Sequence, residues 1–412
     1  MEIRHLALFL LVVLLAFYRT EKELNYFWQE DLGEGRLEVK VEGTPTIEDD
    51  KLVVKVKVEG GDFPELYSKS ALLNLYGALD IPYKSFSLWG RVRLKEGRVF
   101  ISASYKDIEG ITPKPLSIRE RILERAKEKV EDPEVRGLVL SYLFGQAQDH
   151  LSFEVQRAFG STGLVHLLVV SGSHLATLFF LLRWLAPYPH GLFFALAGVS
   201  FYTFFVVPKD PPVLRAFLML SLAVLTKLFE GLPNLLSILL FSGSLILLAY
   251  PEYVYSYSFW LSFCATLYII LSLREAPEFS DNHYVKAFLL SFWVSLFAFL
   301  GTAPIILSFS YSTPNSVLFT PFVSLAFVPF TLYGFLNILS FFSLPSFPLE
   351  LSGKLALWSV KLFSGFDWQL QKGMSLTWSA FLITLNAFLL YFARGYQKLL
   401  ALMIFVLFYL FA

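Results

Sequence analysis

The sequence predicts a polytopic α-helical membrane protein with a small all-β domain near its N-terminus. Three observations carry that reading. Mean hydropathy is +0.57, with 55% hydrophobic and only 17% charged residues, where soluble chains usually carry about 25% charged. The charge is concentrated: Glu21 to Arg136 holds 20 Lys or Arg and 23 Asp or Glu, while Gly137 to Ala412 holds 12 and 10. Within the charged stretch apolar residues alternate with period two, and beyond it they run on as long segments. A soluble chain would leave so long an apolar region exposed.

Composition also excludes function classes. The formal net charge of +0 gives no bulk attraction for nucleic acid. The single cysteine, Cys264, rules out an internal disulfide and any Cys-rich metal framework. The 43 Phe and 20 Tyr suit helices facing lipid, with aromatics also at headgroup depth. No Walker motif, Rossmann glycine pattern or HExxH occurs, so neither a nucleotide cofactor nor a catalytic metal is expected.

Residues 1–24 read as a first transmembrane segment. The apolar run Leu6–Phe17 is as short as a signal-peptide core. Tyr18, Arg19, Thr20 and Glu21 follow it instead of a small-residue cleavage pattern. An uncleaved span from Ile3 to Tyr18 is therefore expected.

Residues 25–112 read as a β domain. Leu37, Val39 and Val41 alternate with Arg36, Glu38, Lys40 and Glu42, and Val54, Val56 and Val58 with Lys55, Lys57 and Glu59. These are strands with one wet face. Arg91 to Leu94, a turn at Lys95-Glu96-Gly97 and Val99 to Ala103 read as a hairpin. Glu65 to Leu79 is expected to carry a short helix. A small OB-like barrel of about five strands accommodates this order.

Residues 113–136 read as an amphipathic helix. Pro113 and Pro115 close the β domain, and Ser117 with Glu120 forms a capping box. Ile118, Ile122, Leu123, Ala126 and Val130 make one apolar stripe, opposite a face of mixed charge. Such a helix lies on the membrane surface or docks on the bundle.

Residues 137–412 read as a transmembrane domain. Apolar segments fall at 164–185, 190–207, 212–228, 232–249, 256–273, 285–308, 315–342, 375–392 and 397–411, with weaker ones at 137–145 and 351–366. About 8 to 11 crossings are expected, several short or broken. Irregular backbone at membrane depth is tolerated only where it faces protein or a wet cavity.

Candidate functional residues lie where polar groups interrupt these segments. His166 and His174 flank Ser171-Gly172-Ser173 inside apolar sequence. On an unbroken helix they would stand about 80° apart. One reading is a pore-lining or gating element. The other is a packing seam in which small residues allow close helix approach. Two histidines without a nearby carboxylate or cysteine supply too few ligands for zinc. Arg215 sits one turn into a segment, where it snorkels to headgroups or places charge at the mouth of a polar cavity. Arg157 and Arg183 flank the histidine cluster and are secondary candidates. Pro304 and the Thr313-Pro314-Asn315-Ser316 stretch mark broken helices, and Asn315 lines a path or caps the next helix. Asp149, Glu154 and Asp210 are boundary carboxylates without evident pairing.

Four stretches resemble the ComEC/Rec2 family, the inner-membrane DNA channel of natural competence. Phe159 to Leu175 is similar to a family pattern with two histidines around a Ser-Gly pair. Ser173 stands where Leu is usual and Ala176 where Gly is usual. Pro212 to Met219 is similar to a segment carrying Arg-Ala. Tyr257 to Thr266 is similar to one with Leu-Ser-Phe, with Ser258 in place of a usual Gly. Gly301 to Pro321 matches at Pro304, Asn315 and Pro321.

The resemblance implies that the β domain is an extracytoplasmic OB-like domain and that residues 137–412 are a competence-type channel domain. It implies translocation of single-stranded DNA across the inner membrane, with His166, Ser171, Gly172, Ser173, His174, Arg215 and Asn315 along the path and Arg157 and Arg183 as secondary DNA contacts. Implied partners are single-stranded DNA, a DNA receptor on the outer side, a cytoplasmic helicase-like ATPase, a separate nuclease and membrane lipids. Family members often carry a C-terminal metallo-β-lactamase-like domain. This chain has no His-x-His-x-Asp-His run, so no nuclease is assigned to it, and it reads as a short member or a piece of a longer chain. The alternative class is a polytopic membrane enzyme on a lipid-linked or peptide substrate, with His166 or His174 as base and Ser171 as nucleophile. No carboxylate in the spans is placed to orient either histidine.

Overall fold

The computed structural model describes residues 2–25, 30–42, 46–48, 51–77, 85–95, 98–112, 118–146, 150–186, 190–229, 231, 234–366, 368–371 and 373–411. The turn residues Glu96 and Gly97, the proposed cap Ser117 and Asp149 lie outside them. The chain divides into two compact units, Leu14–Ser117 and Met1–Val13 with Ile118–Ala412. Helix α1, Glu2–Asn25, covers the expected first span.

The smaller unit is a closed barrel. Its strands are β1 (Glu30–Val41), β2 (Thr46–Glu48), β3 (Lys51–Gly61), β4 (Ser70–Tyr76), β5 (Ser85–Lys95), β6 (Arg98–Ser104) and β7 (Ile108–Thr112). Five of them close on themselves in the order β1-β3-β4-β6-β5, because β1 pairs with both β3 and β5. Among the described strand pairings only β4–β6 is parallel. This is the OB-like arrangement the sequence predicts. A register shift between Asp31 and Gly33, with Gly33 at φ 90°, lets the long first strand curl. The inward residues Leu37, Val39, Val54, Val56, Val58, Leu73, Leu75, Leu88, Val92 and Ile101 are all buried. Each such side chain contributes roughly 1.5–3 kcal/mol on burial. The helix expected over Glu65 to Leu79 is instead a 3₁₀ turn, Pro64–Leu66, followed by β4.

The larger unit is helical. Its helices are α2 (Ile118–Lys129), α3 (Pro133–Leu138), α4 (Phe153–Thr162), α5 (Gly172–Leu185), α6 (His190–Phe201), α7 (Pro211–Leu228), α8 (Leu235–Ala249), α9 (Tyr257–Leu273), α10 (His283–Phe309), α11 (Asn315–Leu339), α12 (Phe347–Phe363), α13 (Leu376–Phe392) and α14 (Leu400–Phe411). Among the described residues α7, α10 and α11 are long and apolar enough to cross a membrane, and five shorter apolar helices accompany them. Helix α2 docks on protein: Ile122, Leu123, Ala126 and Val130 are buried in the helical core, while Arg119 donates to Phe144 O at 3.3 Å.

Two hydrophobic cores run through this unit. One gathers α2 to α7 with α11 and α12. The other gathers α9, α10, α13 and α14. The resembling stretches lie on α4, α5 and α7 in the first core, on α9 and α10 in the second, and at the start of α11.

Candidate functional site

The first stretch is shaped by Gly163. Helix α4 ends there with φ 71°, and a Cβ at this position would lie 2.9 Å from both the Cβ and the carbonyl oxygen of Thr313. Glycine is therefore required by conformation and by space. The close approach seats the first stretch on the fourth, at Thr313 and Ser316. The chain then makes a 3₁₀ turn, Val165–Leu167, in which His166 is exposed with Nδ1 3.1 Å from Gly163 O. The apolar segment 164–185 is thus not one helix. His166 lies before the break and His174 after it, so the 80° relation expected for a continuous helix does not hold.

Helix α5 starts at an extended Ser171. The Ser171 backbone N–H donates to His174 Nδ1 at 3.1 Å. Nδ1 is then an acceptor, and the neutral ring carries its proton on Nε2. Ser171 Oγ lies 2.8 Å from Ser173 Oγ and 3.3 Å from His174 Nδ1. His174 is 2% exposed and packs on Tyr142, with ring centroids 4.2 Å apart. The Tyr142 hydroxyl meets Thr331 Oγ1 at 2.7 Å. Since Thr331 donates to Phe327 O, Tyr142 is the donor. His174 Nε2 is buried without a hydrogen-bond partner. Tyr142 belongs to a π-helical turn, Val139–Leu143, and Tyr202 of a second one, Tyr202–Val206, donates to Leu143 O at 2.6 Å. Such turns are frequent at functional sites.

Arg215 joins three of the stretches. Its Nε donates to Ser262 Oγ at 2.9 Å, and its Nη1 donates to Thr266 Oγ1; both acceptors are on α9. Thr266 in turn donates to Ser262 O at 2.9 Å. A Cβ added at Gly172 would stand 3.8 Å from Arg215 Nη2 and 3.5 Å from Ala216 Cβ. The third arm of the guanidinium therefore lies beside the first turn of α5, where the His174 N–H donates to Ser171 O at 3.1 Å and the N–H groups of Gly172 and Ser173 precede the first intrahelical bonds. The arrangement concentrates positive potential, because the helix dipole adds to the Arg215 charge. The half-buried Arg215 is held sideways to α9 by these two bonds.

The fourth stretch backs the third. A Cβ at Gly301 would sit 2.8 Å from Cys264 O and 2.9 Å from the Tyr268 ring, so α10 approaches α9 through this glycine. Pro304 lies inside α10, where it removes a donor, and its own carbonyl accepts from Ser379 Oγ at 2.6 Å. Asn315 is 6% exposed and donates to Phe366 O at 2.6 Å, tying the start of α11 to the chain after α12.

The secondary candidates stand apart. Arg157 is exposed on α4. Arg183 donates to Ala186 O at 3.2 Å, at the far end of α5 and about 16 Å along the axis from Gly172. Glu154 is not unpaired as expected: Lys361 approaches it at 3.6 Å. Sequence reasoning did not single out Ser262, Thr266, Tyr142 or Thr331 as functional. Ser262 and Thr266 are four residues apart on one helical face, and that spacing was the available signal. Among the described residues no group of three or more His, Cys, Asp or Glu could hold a metal ion.

Comparison with known proteins places the sequence among its relatives. The Competence protein family model matches residues 143–411, which takes in all four stretches. An uncharacterized protein of Aquifex aeolicus (strain VF5) is 40% identical over 406 residues, covering 97% of this chain and 94% of that protein. ComE operon protein 3 of Bacillus subtilis (strain 168) is 26% identical over 238 residues, covering 55% of this chain and 30% of the relative. No solved structure matches the chain. Family and fold together support a membrane channel role. The sequence match and the convergence of the four stretches lead to one assignment: the chain belongs to the ComEC/Rec2 family of competence proteins.

Proposed function

We propose that the protein passes single-stranded DNA inward across the cytoplasmic membrane. The observation that carries this reading is Arg215 Nη2, left over beside the N-terminus of α5 after Nε and Nη1 are bound by Ser262 and Thr266. A guanidinium arm next to the N–H groups of Gly172 and Ser173 at a helix N-terminus suits a phosphate oxygen. One such station, rather than a dense basic groove, lets a strand bind and leave, since accumulated phosphate contacts would hold it. Ser171 and Ser173 would add hydrogen-bonding groups at that station, and His166 another along the path. The partners follow from the same reading: a DNA receptor outside, a helicase-like ATPase pulling from the cytoplasm, and a nuclease on a separate chain or domain.

The Ser171–His174 contact at 3.3 Å is what favours an enzyme instead. Against it, Nδ1 already accepts the Ser171 backbone N–H, and no carboxylate meets Nε2. Proteoliposomes containing the purified protein, a labelled 40-mer outside and a DNA trap inside test the channel. Entry of the single strand that is lost in Arg215→Ala supports it. Equal entry with empty liposomes, or labelling of Ser171 by a fluorophosphonate probe, would overturn it.

A further inference from the structure

The outer wall of the barrel carries a groove of about 300 Å³ that the channel reading leaves unused. Two aromatic side chains flank it, Trp89 on β5 at 51% exposure and Tyr76 at the end of β4 at 49%. Between them the outer face of β6 carries Ser102 and Ser104, whose short side chains let a flat ring approach the sheet closely. Glu34 and Asp107 line the rim with Arg91. The volume is at the small end of ligand sites, enough for one ring and not for a long buried chain.

We propose that this groove binds one ring of a neutral oligosaccharide. A pyranose presents an apolar face that fits an aromatic side chain, and hydroxyls at its edge that donate to carboxylates. Trp89 and Tyr76 supply the first, Glu34 and Asp107 the second. Arg91 Nη2 is already paired with Asp31 Oδ2 at 2.7 Å, and Arg91 Nε with the same carboxylate at 3.1 Å. Asp107 Oδ2 accepts the Ser104 N–H at 3.2 Å, which leaves its Oδ1 for the ligand. Asp31 also lies 3.6 Å from Arg93 Nε, so with Glu34 and Asp107 three carboxylates face two guanidinium groups and the rim keeps a net negative charge. This field repels a phosphodiester backbone, which needs cations alongside the stacking rings. OB-like barrels bind oligonucleotides and oligosaccharides on the face of their second and third strands; this groove lies instead over the end of β4, β6 and β5, and its own charge favours a neutral ligand. Such a contact would anchor the barrel to a glycan polymer, independently of any DNA path in the helical unit.

The test uses the whole chain in lipid nanodiscs, which avoid sugar-headed detergents. Saturation-transfer NMR is run with chitohexaose, cellohexaose and maltohexaose, and with a twelve-residue oligothymidine as competitor. At least one hexasaccharide should show transfer. Trp89→Ala and Glu34→Gln should each weaken it about tenfold (~1.4 kcal/mol). Both positions are on the outer wall, so thermal unfolding should match the parent. Ser102→Trp, which fills the groove, should abolish binding by a separate route. The proposal is overturned if none of the three sugars binds, if the variants bind undiminished, or if oligothymidine displaces the sugar.

Discussion

Arg215 on α7 donates through Nε to Ser262 Oγ on α9 at 2.9 Å, and this bond crosses between the two hydrophobic cores of the helical unit. Thr266 takes a second arm of the same guanidinium. Two of the three nitrogens are thus spent on orientation, and the direction of the third follows from them.

The first prediction separates charge from orientation. Arg215→Ala should abolish single-strand entry in proteoliposomes. Arg215→Lys keeps the charge but cannot serve two hydroxyls and α5 at once, so its rate should fall between the two. Ser262→Ala with Thr266→Val keeps the arginine and removes its guides. Each hydrogen bond to a charged group contributes about 1.5–3 kcal/mol, so entry should drop on the order of tenfold. Parental rates in the double variant would mean that Ser262 and Thr266 do not aim Arg215.

The second concerns the His174 ring. The Ser171 backbone N–H requires an unprotonated Nδ1, so ¹⁵N solid-state NMR of histidine-labelled protein at neutral pH should show the Nε2–H tautomer for His174. A protonated Nδ1 would mean the α5 N-terminus is built differently.

The third uses two glycines as a pair. Gly163→Ala places a Cβ in the left-handed region, at roughly 1–2 kcal/mol, and against Thr313 O at 2.9 Å. Gly172→Ala meets only ordinary contacts, at 3.5 and 3.8 Å. Thermal unfolding in detergent should show a clear loss for the first and little change for the second. Equal midpoints would remove Gly163 as the joint between the first and fourth stretches.

These pairings also mark how far the sequence can be read. Leu37, Val39 and Val41 announced a strand because charged neighbours alternate with them. Ser70–Tyr76 has the same inward alternation, Ala71, Leu73 and Leu75, but Leu72 fills an outward position. The contrast between faces is lost there, and a helix was expected. Leu164 to Val170 is as apolar as a helix and reads as half a span, whereas the left-handed Gly163 turns the chain before α5 can start. The residues of the site were visible as polar interruptions. Their partners were not, because Arg215 reaches across 47 and 51 residues to another helix. No local period encodes such a contact.

The fourth prediction is a pH dependence in the barrel. Hydrogen bonds from Arg91, then from the Gly33 N–H, hold the Asp31 carboxyl below its usual value of 3.8. A depressed acid stabilises the fold above its unfolded pKa, and the contribution is lost as pH falls through the folded value. Asp31→Asn should lower the unfolding midpoint of the barrel slightly at pH 7, since the pair is exposed. The gap should close below about pH 3.8. A gap that persists or widens in acid would show that the pair contributes through packing and not charge.

The fifth prediction fixes the side of the membrane on which the barrel sits. The barrel follows the apolar helix α1, and the family resemblance implies that it lies outside the cytoplasm. Cys264 is the chain's one cysteine and is buried in α9, so an introduced thiol can be read with little background. Glu65 is exposed at the 3₁₀ turn between β3 and β4, and a cysteine there needs no repacking. In cells with a permeabilised outer membrane, Glu65→Cys should react with a membrane-impermeant maleimide before the inner membrane is broken. If the thiol reacts only after lysis, the barrel is cytoplasmic. It could then neither receive DNA from an outer receptor nor meet an extracytoplasmic glycan, and the inward direction of transport would lose its structural support.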